Sequence, residues 1–305
     1  MLKKKKIAVF QDRPGIGDMC IFLPLIHIIS KHYSEPVYLF TKSRSKSKEL
    51  LKYDPNIFEI IYIDEVFKNK NFFSRISYLK NFKLDKAYLF SYGIKYPLLL
   101  KLSKIKDIFF YGFFKKKNSI FLDATFFLNK FIKLDQYKIS CKLFLNEFNS
   151  GEIKKKSNIC VIGIGGSGPQ KKWSIKNYSL LITELEKRGI GKFIIAGGNG
   201  EIEDFIELSK LLKGKKLISL CEQSLEDSIK EISKASIYIG NDTGFMHISG
   251  LCGLKTFGLF GDTPTNYVSY NPNIKAIIPD GYDEIWHNSK AMSKITVEKI
   301  IREIF

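Results

Sequence analysis

Short apolar runs separated by glycine-rich or charged turns recur along the chain. Residues 7–10 (IAVF) read as a buried strand, followed by a glycine-punctuated loop at 11–18 (QDRPGIGD). An apolar helix is predicted from 19 to about 33, with Pro24 placed to end its first turn or kink it. Strands follow at 37–41, 59–63 and 86–91, with an exposed basic helix at 43–53 and a helix at 72–82 carrying aromatics on one face. Residues 108–148 are rich in aromatics and lysine and show no assignable period. A second series opens with a strand at 159–162 and continues with strands at 192–196 and 217–220 and helices at 177–188, 203–212 and 224–234. It ends in a strand at 237–239, a polar turn, a helix over 245–251, a strand at 255–260 and a terminal helix at 297–305. Strands alternating with helical spans predict α/β, doubly wound domains. The first is expected over 1–150 and the second over 151–305, joined at Ser150-Gly151 and the charged run 152–157. The terminal helix is expected to be able to cross back to the first domain.

Composition narrows the class. A chain of 305 residues suits two domains, and 45% hydrophobic with 14% aromatic residues excludes general disorder. Five scattered cysteines without C-x-x-C spacing argue for a reducing compartment, against a disulfide framework and against a structural zinc site. Only residues 7–10 are apolar after the leading lysines, too short for a signal-peptide core. The run 19–29 contains Pro24 and His27 and falls short of the ~20 residues of a membrane span. A cytoplasmic location is expected. The net charge of +18 is uneven: residues 1–150 hold 28 Lys+Arg against 13 Asp+Glu, and residues 151–305 hold 21 against 18. The asymmetry points to an anionic partner for the first half, met by clusters such as Arg44/Lys46/Lys48 or Lys115/Lys116/Lys117, the blander reading being a solvated lysine-rich surface.

The stretch 237–263 (IYIGNDTGFMHISGLCGLKTFGLFGDT) carries the most chemistry. Its polar turn lies at the carboxyl end of a strand, where open α/β sheets hold ligands. Asp242 or Thr243 is a natural N-cap, and the free N–H groups of the helix that follows attract anions. Gly244 leaves the backbone room for a phosphate, and His247, one turn in, can point the same way. The blander reading makes Asp242 a plain cap and His247 a packing residue. Residues 163–168 fit G-x-G-x-x-G literally, but no helix starts at the last glycine and no acid ends the next strand. That context excludes the nicotinamide fingerprint. Taken alone, Asp18 reads as an N-cap at the start of its helix and Glu201 as an acid in the first turn of the next.

D-T-G-x-x-H, a small-residue helix and a strand ending F-G-x-T together resemble the donor-site signature of glycosyltransferase family 9, the ADP-heptose lipopolysaccharide heptosyltransferases and their relatives. The resemblance implies the GT-B architecture, two facing Rossmann-like domains with the active site in the cleft. It implies a donor pocket of Gly166, Ser167, Lys171, Glu201, Asp242, Thr243, Gly244 and His247, with Glu201 on the nucleotide ribose. Trp173 completes K-x-W, and Ser174 stands where the family usually has proline. Lys171 and Lys172 remain alternatives for the phosphate. In the first domain the family's G-D and L-P blocks appear as Gly17-Asp18 and Leu23-Pro24. They make Asp18 the catalytic base of an inverting transfer, with Gly15 and Gly17 in the acceptor-side loop. The chain has no D-x-D, so a metal-independent reaction without cofactor is expected. Its partners would be a nucleotide sugar and an anionic glycolipid or glycan acceptor, with possible peripheral contact at the inner membrane surface and no nucleic acid. A nucleotide-sugar epimerase of similar architecture and a nucleic-acid-binding module are the alternatives. The first needs several acid/base groups, and the second leaves D-T-G-x-x-H unexplained.

Overall fold

The computed structural model describes residues 4–112, 119–145 and 157–305. The chain divides into two compact units, the boundary falling between Phe144 and Leu145. The expected joint at Ser150-Gly151, most of the run 152–157 and the cluster Lys115/Lys116/Lys117 lie outside the described residues.

In the first unit, β1 (Ile7–Phe10), β2 (Val37–Thr41), β3 (Ile57–Tyr62), β4 (Lys86–Leu89) and β5 (Asp107–Phe110) form a parallel sheet in the order β3-β2-β1-β4-β5. Its helices are α1 (Ile16–Tyr33), α2 (Ser47–Leu50), α3 (Ile63–Val66), α4 (Phe72–Lys80), α5 (Lys95–Leu102) and α6 (Ile120–Asn129). Both sheet faces are covered, so the inner strands are apolar throughout and do not alternate. Ala8, Phe10, Phe40, Ala87 and Leu89 share a core with Ile76 and Leu79 of α4 and Leu99 and Leu100 of α5. Right-handed crossovers running outward from β1 in opposite directions put α1 on the other face, where it packs with α6.

Two local expectations change. Helix α1 starts at Ile16, not at 19, because Gly15 takes the N-cap position and the Asp18 carboxylate accepts the Gly15 N–H. Asp18 is therefore the third helical residue and not the N-cap, and the helix runs through Pro24. The span 43–53 is not one exposed helix. Lys46 sits in the left-handed region (φ 54°) and separates a 3-10 turn at Ser43–Ser45 from α2. Ser45, Ser47, Leu50 and Leu51 of that span are buried.

In the second unit, β6 (Ile159–Gly163), β7 (Lys192–Ala196), β8 (Leu217–Ser219), β9 (Ile237–Asn241), β10 (Lys255–Leu259) and β11 (Ile274–Ile277) form a parallel sheet in the order β11-β10-β9-β6-β7-β8. Its helices are α7 (Ile175–Lys187), α8 (Ile202–Leu211), α9 (Leu225–Ile232), α10 (Gly244–Leu251) and α11 (Val297–Ile304). The terminal helix α11 packs into this unit's core. Its Ile300 is fully buried among Cys160, Ile162 and the α7 residues Leu181 and Leu185, and Val297, Ile301 and Ile304 pack around it. Among the described residues no helix is long and apolar enough to cross a membrane.

In each sheet the first strand is internal, and later strands are added first on one side and then on the other. The order reverses between β1 and β4 in the first unit and between β6 and β9 in the second. A crevice opens at the carboxyl ends of such a strand pair. The candidate residues gather at these two points.

One polar pair is buried in the first unit away from its crevice. His27 Nε2 lies 2.6 Å from Asp54 Oδ2, while Asp54 Oδ1 accepts the backbone and side-chain N–H of Asn56, each at 2.9 Å. The pair fastens α1 to the turn before β3. Asp54→Ala leaves His27 Nε2 without a partner in apolar surroundings and is expected to cost about 1–3 kcal/mol. Urea unfolding of the variant measures this, and an unchanged midpoint would show that the pair adds nothing.

Candidate active site

The second unit's crevice depends on two strands reaching their carboxyl ends close together. Register sets Gly163 of β6 against Gly240 of β9. A β-carbon on Gly240 would overlap the Gly163 backbone, and one on Gly163 would overlap the Tyr238 phenol. Both positions therefore need glycine. Past this pair the chains diverge, and Asn241 ties them together. Its Oδ1 accepts the Trp173 N–H at 3.1 Å, and its Nδ2 donates to the carbonyls of Ile164 at 3.1 Å and Gly165 at 2.9 Å. The Tyr178 hydroxyl lies 2.9 Å from the same Oδ1 and 2.8 Å from the Gly163 carbonyl. The asparagine is wholly buried. Trp173 is buried as well, donating from Nε1 to the Ile295 carbonyl at 2.8 Å.

Around this hub three loops converge. After β9, Asp242 and Thr243 form the turn, Thr243 is the N-cap of α10, and Gly244 is its first residue. No side chain caps α10, so its leading N–H groups are available to an anion. Thr243 Oγ1 is buried beside the Tyr238 hydroxyl. After β7, Glu201 turns back on its own loop, where its Oε2 accepts the Gly198 N–H at 2.9 Å. A β-carbon on Gly165 would lie 3.6 Å from that carboxylate and 3.7 Å from Thr243 Cγ2, which places all three loops at one spot. After β6, Gly166 gives room to Lys172, whose Cγ would be 2.7 Å from a β-carbon there. Ser167 is exposed on the same loop. The 3-10 turn at Pro169–Lys171 follows, and α7 begins only at Ile175, as the failure of the dinucleotide fingerprint requires.

The two lysines of this loop differ. Lys172 Nζ is 2.9 Å from Glu201 Oε1 and 2.8 Å from Asp204 Oδ2. Burial opposes its charge, but the hydrogen bonds to Asp204 and Glu201 outweigh that and raise its pKa. Lys171 is half-buried and forms no ion pair among the described residues. His247, expected to point at the ligand, is 3% exposed. Its Nδ1 lies 3.0 Å from the Tyr270 hydroxyl, its ring stacks on Tyr270, and its Nε2 is 3.6 Å from Asp242 Oδ1. It lies buried behind Asp242. Among the described residues no cluster of three or more His, Cys, Asp or Glu side chains is arranged to hold a metal.

In the first unit the loop after β1 starts where the strand order reverses between β1 and β4. Asp18 accepts from Arg13 Nε at 2.6 Å on Oδ1 and from the Gly15 N–H at 3.1 Å on Oδ2. A β-carbon on Gly15 would lie 2.7 Å from Oδ2, so glycine there leaves the carboxylate its place. Gly17 is the second residue of α1. Burial pushes the neighbouring Asp12 carboxyl above its usual range against the pull of Lys42 and Arg13. Tyr96, on the first turn of α5, is pushed up to about 12 by burial and by Asp12.

The profile of glycosyltransferase family 9 (heptosyltransferase) matches residues 114–293. The chain belongs to that family. It is 24% identical over 265 residues to lipooligosaccharide heptosyltransferase 2 of Campylobacter jejuni serotype O:2, covering 84% of this chain and 81% of that protein. The E. coli ADP-heptose lipopolysaccharide heptosyltransferase II structure superposes with a TM-score of 0.75 at 16% identity, covering 98% of this chain and 97% of that one. E. coli heptosyltransferase WaaC with ADP-2-deoxy-2-fluoro heptose gives 0.72 at 14% identity, with 98% of each chain covered. The fold is thus the GT-B one, two parallel-sheet α/β domains, and the enzyme is a glycosyltransferase. The epimerase reading is the weaker one beside a transferase profile.

The family 9 motif residues thus form two groups, one per unit. Asn241, Tyr178, Tyr270 and Arg13, which hold them, were not singled out in the sequence. Asn241 directly precedes D-T-G and Arg13 sits inside the glycine-punctuated loop, so adjacency to a motif was the available signal. Asn241→Ala removes a partner from several buried groups at once and is expected to cost about 3 kcal/mol or more in urea unfolding. Nucleotide affinity of the protein that still folds should fall as well, and an affinity equal to wild type would show that Asn241 does not shape the pocket.

Proposed function

We propose that this family 9 enzyme transfers a heptose from ADP-heptose to the inner core of a lipopolysaccharide-type acceptor, with inversion and without a metal ion. The carrying observation is the convergence of Gly165, Glu201 and Thr243 beside the uncapped start of α10. In this reading the diphosphate meets the α10 N–H groups, Gly166, Ser167 and Lys171. Lys171 is favoured over Lys172 because Lys172 is already paired with Glu201 and Asp204. Glu201 accepts from the ribose hydroxyls. Asp242 orders the turn that carries Thr243 and Gly244, and His247 acts through Asp242. The relatives' names supply the donor, since two of the solved enzymes are described with ADP-heptose or its fluoro analogue.

Asp18 takes the proton from the attacking acceptor hydroxyl. The helix N-terminus and Lys171 stabilise the departing diphosphate, the role a cation plays elsewhere. The basic first unit meets an anionic glycolipid acceptor at the inner face of the cytoplasmic membrane, with the protein itself cytoplasmic and peripheral.

Transfer is expected to survive excess EDTA. Complete loss that Mg²⁺ or Mn²⁺ restores would sink the metal-free mechanism.

Asp18→Asn and Asp242→Asn separate chemistry from binding. A general base is typically worth about 10²–10⁴-fold, so Asp18→Asn should lower kcat by that order and leave donor affinity alone. Asp242→Asn should weaken donor affinity and change the chemical step less. Folded Asp18→Asn turning over at near wild-type rate would place the base elsewhere.

A further inference from the structure

One surface of the first unit is both strongly basic and openly apolar. Residues 66–84 hold five lysines or arginines and residues 86–106 hold five more, with no acid in either segment. Asp85 alone lies between them, and its carboxylate accepts the Lys6 N–H. These segments contain α4 and α5, which pack against each other over the same core. On α5 the exposed apolar positions fall at one-turn intervals: Ile94 (63% exposed), Leu98 (44%) and Leu102 (45%). Phe73, at the start of α4, is 78% exposed and touches Phe72 edge to face. Lys95, Lys101, Lys104 and Lys106 are exposed around the α5 stripe. An ordinary solvated helix face carries acids as well as bases and keeps large apolar side chains inward.

We propose that the α4–α5 face docks on an anionic lipid bilayer, its exposed apolar side chains entering the headgroup region and its lysines meeting lipid phosphates. Apolar side chains edged by lysine are the pattern of an interfacial helix, where each basic residue adds attraction to an anionic surface. A second copy of the chain fits less well, because a two-fold contact on this face would oppose lysines to lysines. Helices in such a sheet run antiparallel to the strands they follow, so Phe72, Phe73 and Ile94 lie toward the carboxyl edge. The loop with Asp18 occupies that edge too, and Tyr96 of α5 packs 6.1 Å from Phe10 at its base. Docking would therefore hold a membrane-borne acceptor near the candidate base. This gives a surface to the membrane contact proposed above and rests on that reading for the acceptor alone.

The test is cosedimentation of the full chain with vesicles of phosphatidylcholine, with and without phosphatidylglycerol. Binding is expected only with the anionic lipid and should be released by high salt. Leu98→Asp/Leu102→Asp should abolish it, and Lys101→Gln/Lys104→Gln should weaken it roughly thirtyfold. Both pairs are exposed, and far-ultraviolet circular dichroism with the urea midpoint of the full chain reports folding. Equal binding to neutral vesicles, no binding, or binding unmoved by either variant overturns the proposal. So does a dimer in solution that Leu98→Asp/Leu102→Asp dissociates. Turnover on a delipidated acceptor should be unchanged in both variants. If wild type lacks it, the transferase reading fails while vesicle binding still judges the docking face.

Discussion

The second unit is organised by one buried amide. Where strand order reverses, β6 and β9 lie side by side, but their continuations part into separate loops, and the carbonyls of Ile164 and Gly165 lose a partner on the β9 side. Buried backbone groups without partners are costly, so something must cross the gap. Asn241 does so with two donors and one acceptor from a single short side chain. An aspartate has the size but not the donors, and an aliphatic residue has neither. Trp173 is fixed by the same contact, and with it the turn that presents Lys171. The loop's shape therefore follows from the Gly163–Gly240 approach and one amide, more than from any preference of its own residues.

The charge pattern around the hub has a similar economy. Glu201 and Asp204 hold Lys172, while Lys171 one residue earlier has no carboxylate partner among the described residues. Two adjacent lysines thus take different tasks, one joining the β6 and β7 loops and one presenting positive charge. The uncapped start of α10 adds partial positive charge that needs no side-chain ordering when an anion arrives. Behind the turn, His247 is held by Tyr270 and lies 3.6 Å from Asp242.

Most of the second unit was legible because its strands are short apolar runs bounded by glycine and its helices are amphipathic, α9 and α11 above all. β11 was missed, its four residues alternating too briefly to stand out. In the first unit β5, α5 and α6 gave no clear period, for a physical reason: α5 (KYPLLLKL) and α6 (IFLDATFFLN) carry large apolar side chains on outer as well as inner faces. A pattern that presumes polar outsides cannot locate them. The span 43–53 had helical composition, but a left-handed Lys46 divides it, a tertiary outcome that propensity does not encode. At the site, the motif residues were legible and their supports were not. Asn241 meets partners 63 to 77 residues away, and no local spacing records such a contact.

The geometry at Asp18 bears on how a base can work there. Oδ1 meets Arg13 and Oδ2 meets the Gly15 N–H, so at first sight the carboxylate is fully engaged. Each carboxylate oxygen has two lone-pair directions, and each of these contacts takes one. An incoming hydroxyl can still be met while both contacts persist. The Arg13 guanidinium and the Gly15 N–H fix where the carboxylate points. A sugar hydroxyl is a very weak acid until its oxygen begins to bond to the anomeric carbon. In the proposed transfer a carboxylate so placed takes that proton as the new bond forms. Arg13 and Gly15 then serve position, because they hold the carboxylate at the crevice while leaving a lone-pair direction on each oxygen open.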